Sequence, residues 1–168
     1  FVQRFRREAQ MSARLDHPNV VRGITVGEDR GRHYFAMDFA NGENLQDLLG
    51  RTERLSVADA TRVALDVASA LTEAERFAMV HRDIKPPNNQ LTTKGKVMLT
   101  DLGLAKVTGD EGEITATGVF FGTPPYMAPE QHDGGVVTDR ADQYAFCLMF
   151  WEALHGGFPF AGEDVLSL

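Results

Sequence analysis

The stretch Val80-His81-Arg82-Asp83-Ile84-Lys85-Pro86-Pro87-Asn88 constrains the chain more than any other. It sets a lysine two residues after an aspartate and an asparagine three beyond that. A second acidic centre, Asp101-Leu102-Gly103, follows 18 residues after Asp83. The rest of the 168 residues is the size of one domain, long enough to bury most of its apolar surface. Hydrophobic residues at 43% and charged residues at 24% suit a globular protein. The net charge of −7 argues against nonspecific binding to nucleic acid or to an acidic membrane. Basic residues are scattered except Arg4, Arg6 and Arg7, which read as a solvated helix face. The single cysteine, Cys147, excludes an intramolecular disulfide and a cysteine-rich zinc site, and its apolar surroundings predict a buried thiol. No signal peptide and no apolar run near ~18 residues occurs, so a cytoplasmic chain is expected.

The pattern H-R-D-x-K-x-x-N followed by D-L-G resembles the catalytic and metal-binding loops of the protein kinases, and Lys85 resembles the Ser/Thr-specific branch. The resemblance implies a catalytic group of Asp83, Lys85, Asn88 and Thr123. Asp83 would meet the acceptor hydroxyl, Lys85 would lie near the γ-phosphate of ATP, and Asn88 and Asp101 would hold Mg²⁺. It also implies supporting roles for His81, Arg82, Leu102, Gly103, Glu130 and Asp142. Leu102 stands where phenylalanine is commoner, and its apolar packing role carries over.

Residues 1–16 read as a helix, with Phe1, Phe5, Ala9, Met11 and Leu15 close to one face and Pro18 disfavouring helix at His17. F-x-x-E-A-x-x-x-x-x-L-x-H-P-N-V-V resembles the family's helix αC, which makes Glu8 the partner of a nucleotide-binding lysine. No G-x-G-x-x-G occurs, so the resemblance leads us to expect a truncated catalytic domain, inactive alone, with apolar surface exposed where further elements would pack. The expected division is a remnant of the small lobe and hinge over 1–40 and the large lobe without its last helices over 41–168. The expected fold class is α+β: a protein kinase-like fold with a partial small lobe (αC and two strands) and most of a mainly helical large lobe.

Strands are predicted over 20–26 and 33–39, joined by a turn over 27–31. By resemblance, Met37 backs the adenine pocket and Asp38, Phe39 and Ala40 form the hinge whose backbone meets the adenine edge. Leu45, Leu48 and Leu49 suggest a short helix. Ser56 with Asp59 predicts a capped helix start, and Ala60, Val63, Ala64, Val67, Ala68 and Leu71 extend it for about six turns. This helix resembles the family's αE, although Ala78 and Glu73 replace a usual glycine and a frequent aromatic residue. Lys96 to Thr100 reads as a short strand leading to Asp101.

The 30 residues from Asp101 to Glu130 are rich in Gly, Thr, Asp and Glu and resemble an activation segment. Within it, Gly122-Thr123-Pro124-Pro125-Tyr126-Met127-Ala128-Pro129-Glu130 resembles the docking loop of Ser/Thr kinases, in which Thr123 would bond Asp83 and Lys85. This segment argues against a small-molecule kinase of the aminoglycoside or choline type. Thr115 and Thr117 lie where bacterial members commonly autophosphorylate, and Arg82 would pair with such a phosphate. Thr138 to Asp142 predicts a helix start, followed by Tyr144 to Trp151, apolar on every face and expected to be buried all round. It resembles the family's central helix αF, with Asp142 bonded to the backbone of His81 and Arg82. The wording resembles bacterial eukaryotic-like kinases. ATP, Mg²⁺ and a protein bearing a Ser or Thr acceptor are the implied ligands, with a dimer for autophosphorylation in trans. One departure favours the alternative of a pseudokinase or binding scaffold: Asn89-Gln90 replaces two apolar residues, and Gln90 would lie under adenine as a buried polar group.

Overall fold

The computed structural model describes residues 12–102, 124–132 and 134–160. Most of the helix expected over 1–16, including Glu8, lies outside them. In the described part, helical geometry stops at Ser12 and Leu15 is fully buried.

Strands β1 (Gly23–Asp29) and β2 (Arg32–Met37) form an antiparallel hairpin running from Gly23 opposite Met37 to Asp29 opposite Arg32. The predicted turn over 27–31 is shorter in fact. Arg30 and Gly31 both take left-handed backbone, φ 49° and 77°, which closes a two-residue turn that matches strand twist. Gly27 to Asp29 therefore remain in the ladder. Val20 and Val21, predicted as strand, instead lie along Leu99: Leu99 donates to the Asn19 carbonyl at 2.8 Å and Val21 donates to the Leu99 carbonyl at 2.9 Å.

A second sheet has the order β3-β4-β5, all antiparallel, from β3 (Gly42–Asn44), β4 (Asn89–Thr92) and β5 (Val97–Leu99). Gly42 sits so close to β4 that a Cβ there would collide with the Leu91 carbonyl. Sequence pattern did not reveal β3, because three residues are too few to show a period.

Helix α1 (Leu45–Thr52) starts at Asn44, whose side chain accepts from the Asp47 N–H at 2.8 Å. Helix α2 (Val57–Arg76) starts at Ser56, whose hydroxyl accepts from the Asp59 N–H at 3.1 Å. Its end explains the departure at Ala78. Ala78 donates to the Glu75 carbonyl at 2.8 Å and Met79 to the Ala74 carbonyl at 3.0 Å, the two bonds of a Schellman cap. The residue between must be left-handed, and Ala78 has φ 52°. Glycine suits that position because it has no Cβ to strain.

After a short helix, α3 (Pro129–His132), comes α4 (Asp139–His155), capped by the Thr138 hydroxyl and ended by Gly156 at φ 77°. A Cβ at Gly156 would also press on the Glu53 carbonyl. α2 packs against α4 and β5. Alanine supplies much of both buried faces (Ala60, Ala70 and Ala74; Ala141, Ala145 and Ala153), so the two helices can approach closely. Leu15, Leu45, Ile84, Leu99, Leu102 and Met149 are fully or almost fully buried in one core beneath the 80–88 loop.

The expectation of burial on every side of α4 fails. Gln143 and Cys147 are exposed and Trp151 is 44% exposed, tilted over the His155 ring at 4.1 Å between centroids. These residues recur at four-residue spacing, opposite the stripe that holds Asp142, Ala145, Met149 and Ala153. Apolar composition did not distinguish the face that meets α2 from the face that meets solvent. Cys147 is thus a surface thiol, not a buried one. The elements divide as α+β: antiparallel strands in two small sheets, with helices packed on a core that β5 shares through Val97 and Leu99.

Candidate active site

Around Asp83 the loop's backbone is held by side chains: the N–H and carbonyl of both Arg82 and Asp83 each have a partner. From below, the Asp142 carboxylate on α4 accepts the His81 N–H and the Arg82 N–H, each at 2.7 Å through a separate oxygen. Asp142 is 5% exposed. Burial, the largest influence, raises its pKa above the usual aspartate value, against the lowering effects of His81, Arg82 and the two N–H bonds.

His81 is fully buried. Its Nε2 lies 2.8 Å from the Thr100 carbonyl, which can only accept, so the ring proton sits on Nε2. Nδ1 then accepts the Asp83 N–H at 3.3 Å. Thr100 in turn donates its N–H to the Asn88 carbonyl at 2.9 Å. One histidine and one threonine thereby join the loop to the strand that delivers Asp101.

Arg82 takes φ 69° and Asp101 takes φ 57°, strained conformations for residues with a Cβ. Both flank the candidate chemistry, and the Asp142 bonds hold the first of them.

At the centre, the Asp83 carboxylate is 2.8 Å from the Lys85 ammonium. Asn88 reaches back with Nδ2 to the same Asp83 oxygen at 3.0 Å and to the Asp83 carbonyl at 2.8 Å. Asp83 and Lys85 are about one-fifth exposed, at 22% and 20%, so the pair is reachable from one side. The 3₁₀ turn Pro86–Asn88 permits this return, since two prolines fix the backbone between Lys85 and Asn88. Because Nδ2 makes both inward contacts, the Asn88 Oδ1 is the atom suited to a metal. With the exposed Asp101 carboxylate it offers hard oxygen donors. Among the described residues no cluster of three or more His, Cys, Asp or Glu forms a metal cage.

The hinge candidates follow β2. Met37 is half-buried opposite Gly23, and the Asp38 N–H is committed to the Arg22 carbonyl at 2.9 Å. Phe39 is 88% exposed. The Asp38 carbonyl and the amides beyond it are what the hinge can offer a ligand edge.

The two departures at Asn89-Gln90 separate onto opposite faces of β4, as strand alternation requires. Gln90 is partly buried and pairs in the sheet with Asn44 and Met98. Asn89 is fully buried, with Nδ2 on the Lys85 carbonyl at 2.7 Å and on the Met149 sulfur at 3.1 Å. Its Oδ1 has no partner among the described residues, a cost of about 1–3 kcal/mol. The burden falls in the core under the loop, against Met149.

Leu102 is 2% exposed, packed in the core directly after Asp101. Gly103, Thr115, Thr117 and Thr123 lie outside the described residues. Beyond them, Tyr126 donates its hydroxyl to the Glu152 carboxylate on α4 and packs edge-on against Phe158 at 5.0 Å. Burial, reinforced by that bond to Glu152 and its charge, pushes the Tyr126 pKa upward. Glu130 is half-buried on α3, and its carbonyl accepts the Gly135 N–H at 2.8 Å. Gln131, which sequence reading passed over, links this segment to the loop: Nε2 donates to the Arg82 carbonyl at 3.1 Å and Oε1 accepts the Ala128 N–H at 3.0 Å. Its only sequence signal is its place directly after Glu130.

A family model described as "Protein kinase domain" matches residues 2–167. Two curated relatives match the whole chain: the serine/threonine-protein kinase PrkC of Bacillus subtilis, 36% identical over 168 residues, and the serine/threonine-protein kinase PknA of Mycobacterium tuberculosis, 39% identical over 173. The chain spans 26% and 40% of their respective lengths. A buried aspartate under a strained loop, a lysine–aspartate–asparagine group above it and a match from end to end make one conclusion: this chain belongs to the protein kinase domain family.

Proposed function

We propose that the protein carrying this chain transfers the γ-phosphoryl of ATP to serine or threonine hydroxyls of a protein substrate. The observation that carries this is the Asp83 carboxylate held between Lys85 at 2.8 Å and Asn88 at 3.0 Å, open on one side.

In the reaction, the acceptor oxygen bonds to the γ-phosphorus while the bond from that phosphorus to the β–γ bridging oxygen breaks, releasing ADP. Asp83 orients the acceptor hydroxyl and takes its proton. Lys85 offsets negative charge on the group in transit. Asn88 Oδ1 and Asp101 would hold Mg²⁺, which supplies charge neutralisation at the phosphates when bound. The Asp38 carbonyl and the Phe39 and Ala40 amides would receive the adenine edge, with Met37 behind it and Gln90 beside it. Thr123 would meet Asp83 and Lys85 as the peptide docks, and Glu8 would orient the phosphate-contacting lysine. Thr115 and Thr117 are the proposed phosphorylation sites, with Arg82 as the partner of the phosphate and a second copy as the donor in trans. The reaction would take place in the cytoplasm, where ATP is supplied. Among the described residues no helix is long and apolar enough to cross a membrane.

The alternative of a pseudokinase or scaffold rested on a buried polar group under adenine. In the structure Asn89 is fully buried, with its Oδ1 unpartnered among the described residues, and Gln90 is partly buried.

The test is phosphate incorporation by the full-length protein with ATP, Mg²⁺ and a generic acceptor, with Asp83→Asn as the control. Transfer by the wild type and loss in the variant are expected. Equal incorporation by both would sink the role given to Asp83, and mass spectrometry of residues 103–123 would assign the modified threonine.

A further inference from the structure

Arg82 is the strained residue immediately before Asp83, and each of its two backbone polar groups is taken by a side chain from a different element. Its N–H goes to Asp142 on α4 at 2.7 Å, and its carbonyl accepts from Gln131 on α3 at 3.1 Å. A left-handed residue with a Cβ relaxes unless its surroundings determine both of its peptide planes. Asp142 holds the plane on the His81 side. The plane shared with Asp83 is held by Gln131 from one side and by the His81 ring on the Asp83 N–H at 3.3 Å.

We propose that Gln131 is a positioning residue for Asp83, coupling the segment that begins at Pro124 to the catalytic loop. The coupling rests on the kinase reading and deepens it. Gln131 bonds in two directions at once: Oε1 accepts the Ala128 N–H at 3.0 Å, three residues back, while Nε2 donates to Arg82, 49 residues away in sequence. The partners fix the amide orientation, since an N–H must meet an acceptor and a carbonyl must meet a donor. Ala128, two residues after the Pro124–Tyr126 turn, and α3 therefore share a hydrogen-bonded link with the peptide plane that aims the Asp83 side chain. Where a protein acceptor shifts residues 124–132, the shift reaches Asp83 through this amide. Acceptor binding and the aim of the carboxylate become one event, without Gln131 touching either substrate.

The two arms of the amide can be separated by substitution. Gln131→Glu keeps an oxygen for the Ala128 N–H and loses the donor to Arg82. Gln131→Met keeps the length and loses both. In the full-length protein, both variants are expected to lower kcat about tenfold, the scale of one hydrogen bond lost from positioning, with the KM for ATP unchanged. The Asp83 amide should exchange with solvent faster in both variants, measured without any substrate. Wild-type kcat in Gln131→Glu together with a loss in Gln131→Met would overturn the proposal, because the side chain would then serve only to cap α3. Unchanged exchange at Asp83 would overturn it as well. If the wild type transfers no phosphate, the kinase reading fails, and the exchange measurement still decides whether Gln131 holds the loop.

Discussion

Replacing Asp142 by asparagine asks whether the loop needs two acceptors or one. The carboxylate offers two oxygens, and the His81 and Arg82 N–H groups use one each at 2.7 Å. Asparagine has the same shape with one acceptor and one NH₂. In either amide orientation, one buried N–H then faces another N–H. A hydrogen bond to a charged group is worth about 1.5–3 kcal/mol, and the orphaned donor adds its own desolvation cost. Against this, the variant no longer buries a charge, and the raised Asp142 pKa shows that this burial is unfavourable. The expected net loss at neutral pH is about 1–3 kcal/mol, which for a domain of this size lowers Tm by about 2–4 °C per kcal/mol. Denaturant unfolding at constant m-value measures it directly. Amide exchange identifies where it falls: either the His81 or the Arg82 amide should lose protection while α2 keeps its own. Stability within about 0.5 kcal/mol of wild type, with both amides still protected, would refute the two-acceptor reasoning.

Three further outcomes follow from the same structure. The gap in stability between wild type and Asp142→Asn should narrow as pH rises from the ordinary carboxylate range upward. A folded pKa raised above the unfolded one gives stability that is present at low pH and lost as pH climbs through the folded pKa, and asparagine has no such titration; urea midpoints at stepped pH values measure the gap. Ala78→Gly should stabilise the fold by up to about 1 kcal/mol, because relief of the left-handed strain at φ 52° exceeds the added freedom of the unfolded chain; a lower Tm would contradict it. Cys147 should react with a thiol reagent in the native state at a rate near that of the unfolded protein, since it is exposed; protection until unfolding would contradict the outward placement of that face of α4.

The local elements were legible because local chemistry writes them. Ser56 and Asp59 mark the start of α2 and Thr138 that of α4, each through a side chain that acts within a few residues. Short strands were less so. β3 has three residues, and the turn at Arg30-Gly31 depends on two φ values that polar composition does not specify. The motif residues could be named from their spacing, yet spacing does not say what holds them. Period alone could not say that Cys147 faces water while Met149, two residues on, lies beneath the loop.

The chain order alone carries the inventory: an aspartate, a lysine and an asparagine at 83, 85 and 88, a second acid at 101, and helices able to support them. The resemblance implied one connection, from Asp142 to the His81 and Arg82 amides 61 and 60 residues away, and the structure shows it. The other connections came from packing: the His81 ring on Thr100 and Gln131 on Arg82. It also placed Asn89 in the core against the Met149 sulfur and left Gln90 partly buried on the other face of β4. The physical reason is the range of the forces. Propensities, caps and turns act over a few residues and are written in order along the chain. Burial and the satisfaction of buried polar groups join residues by their position in space, which exists only once the chain has packed.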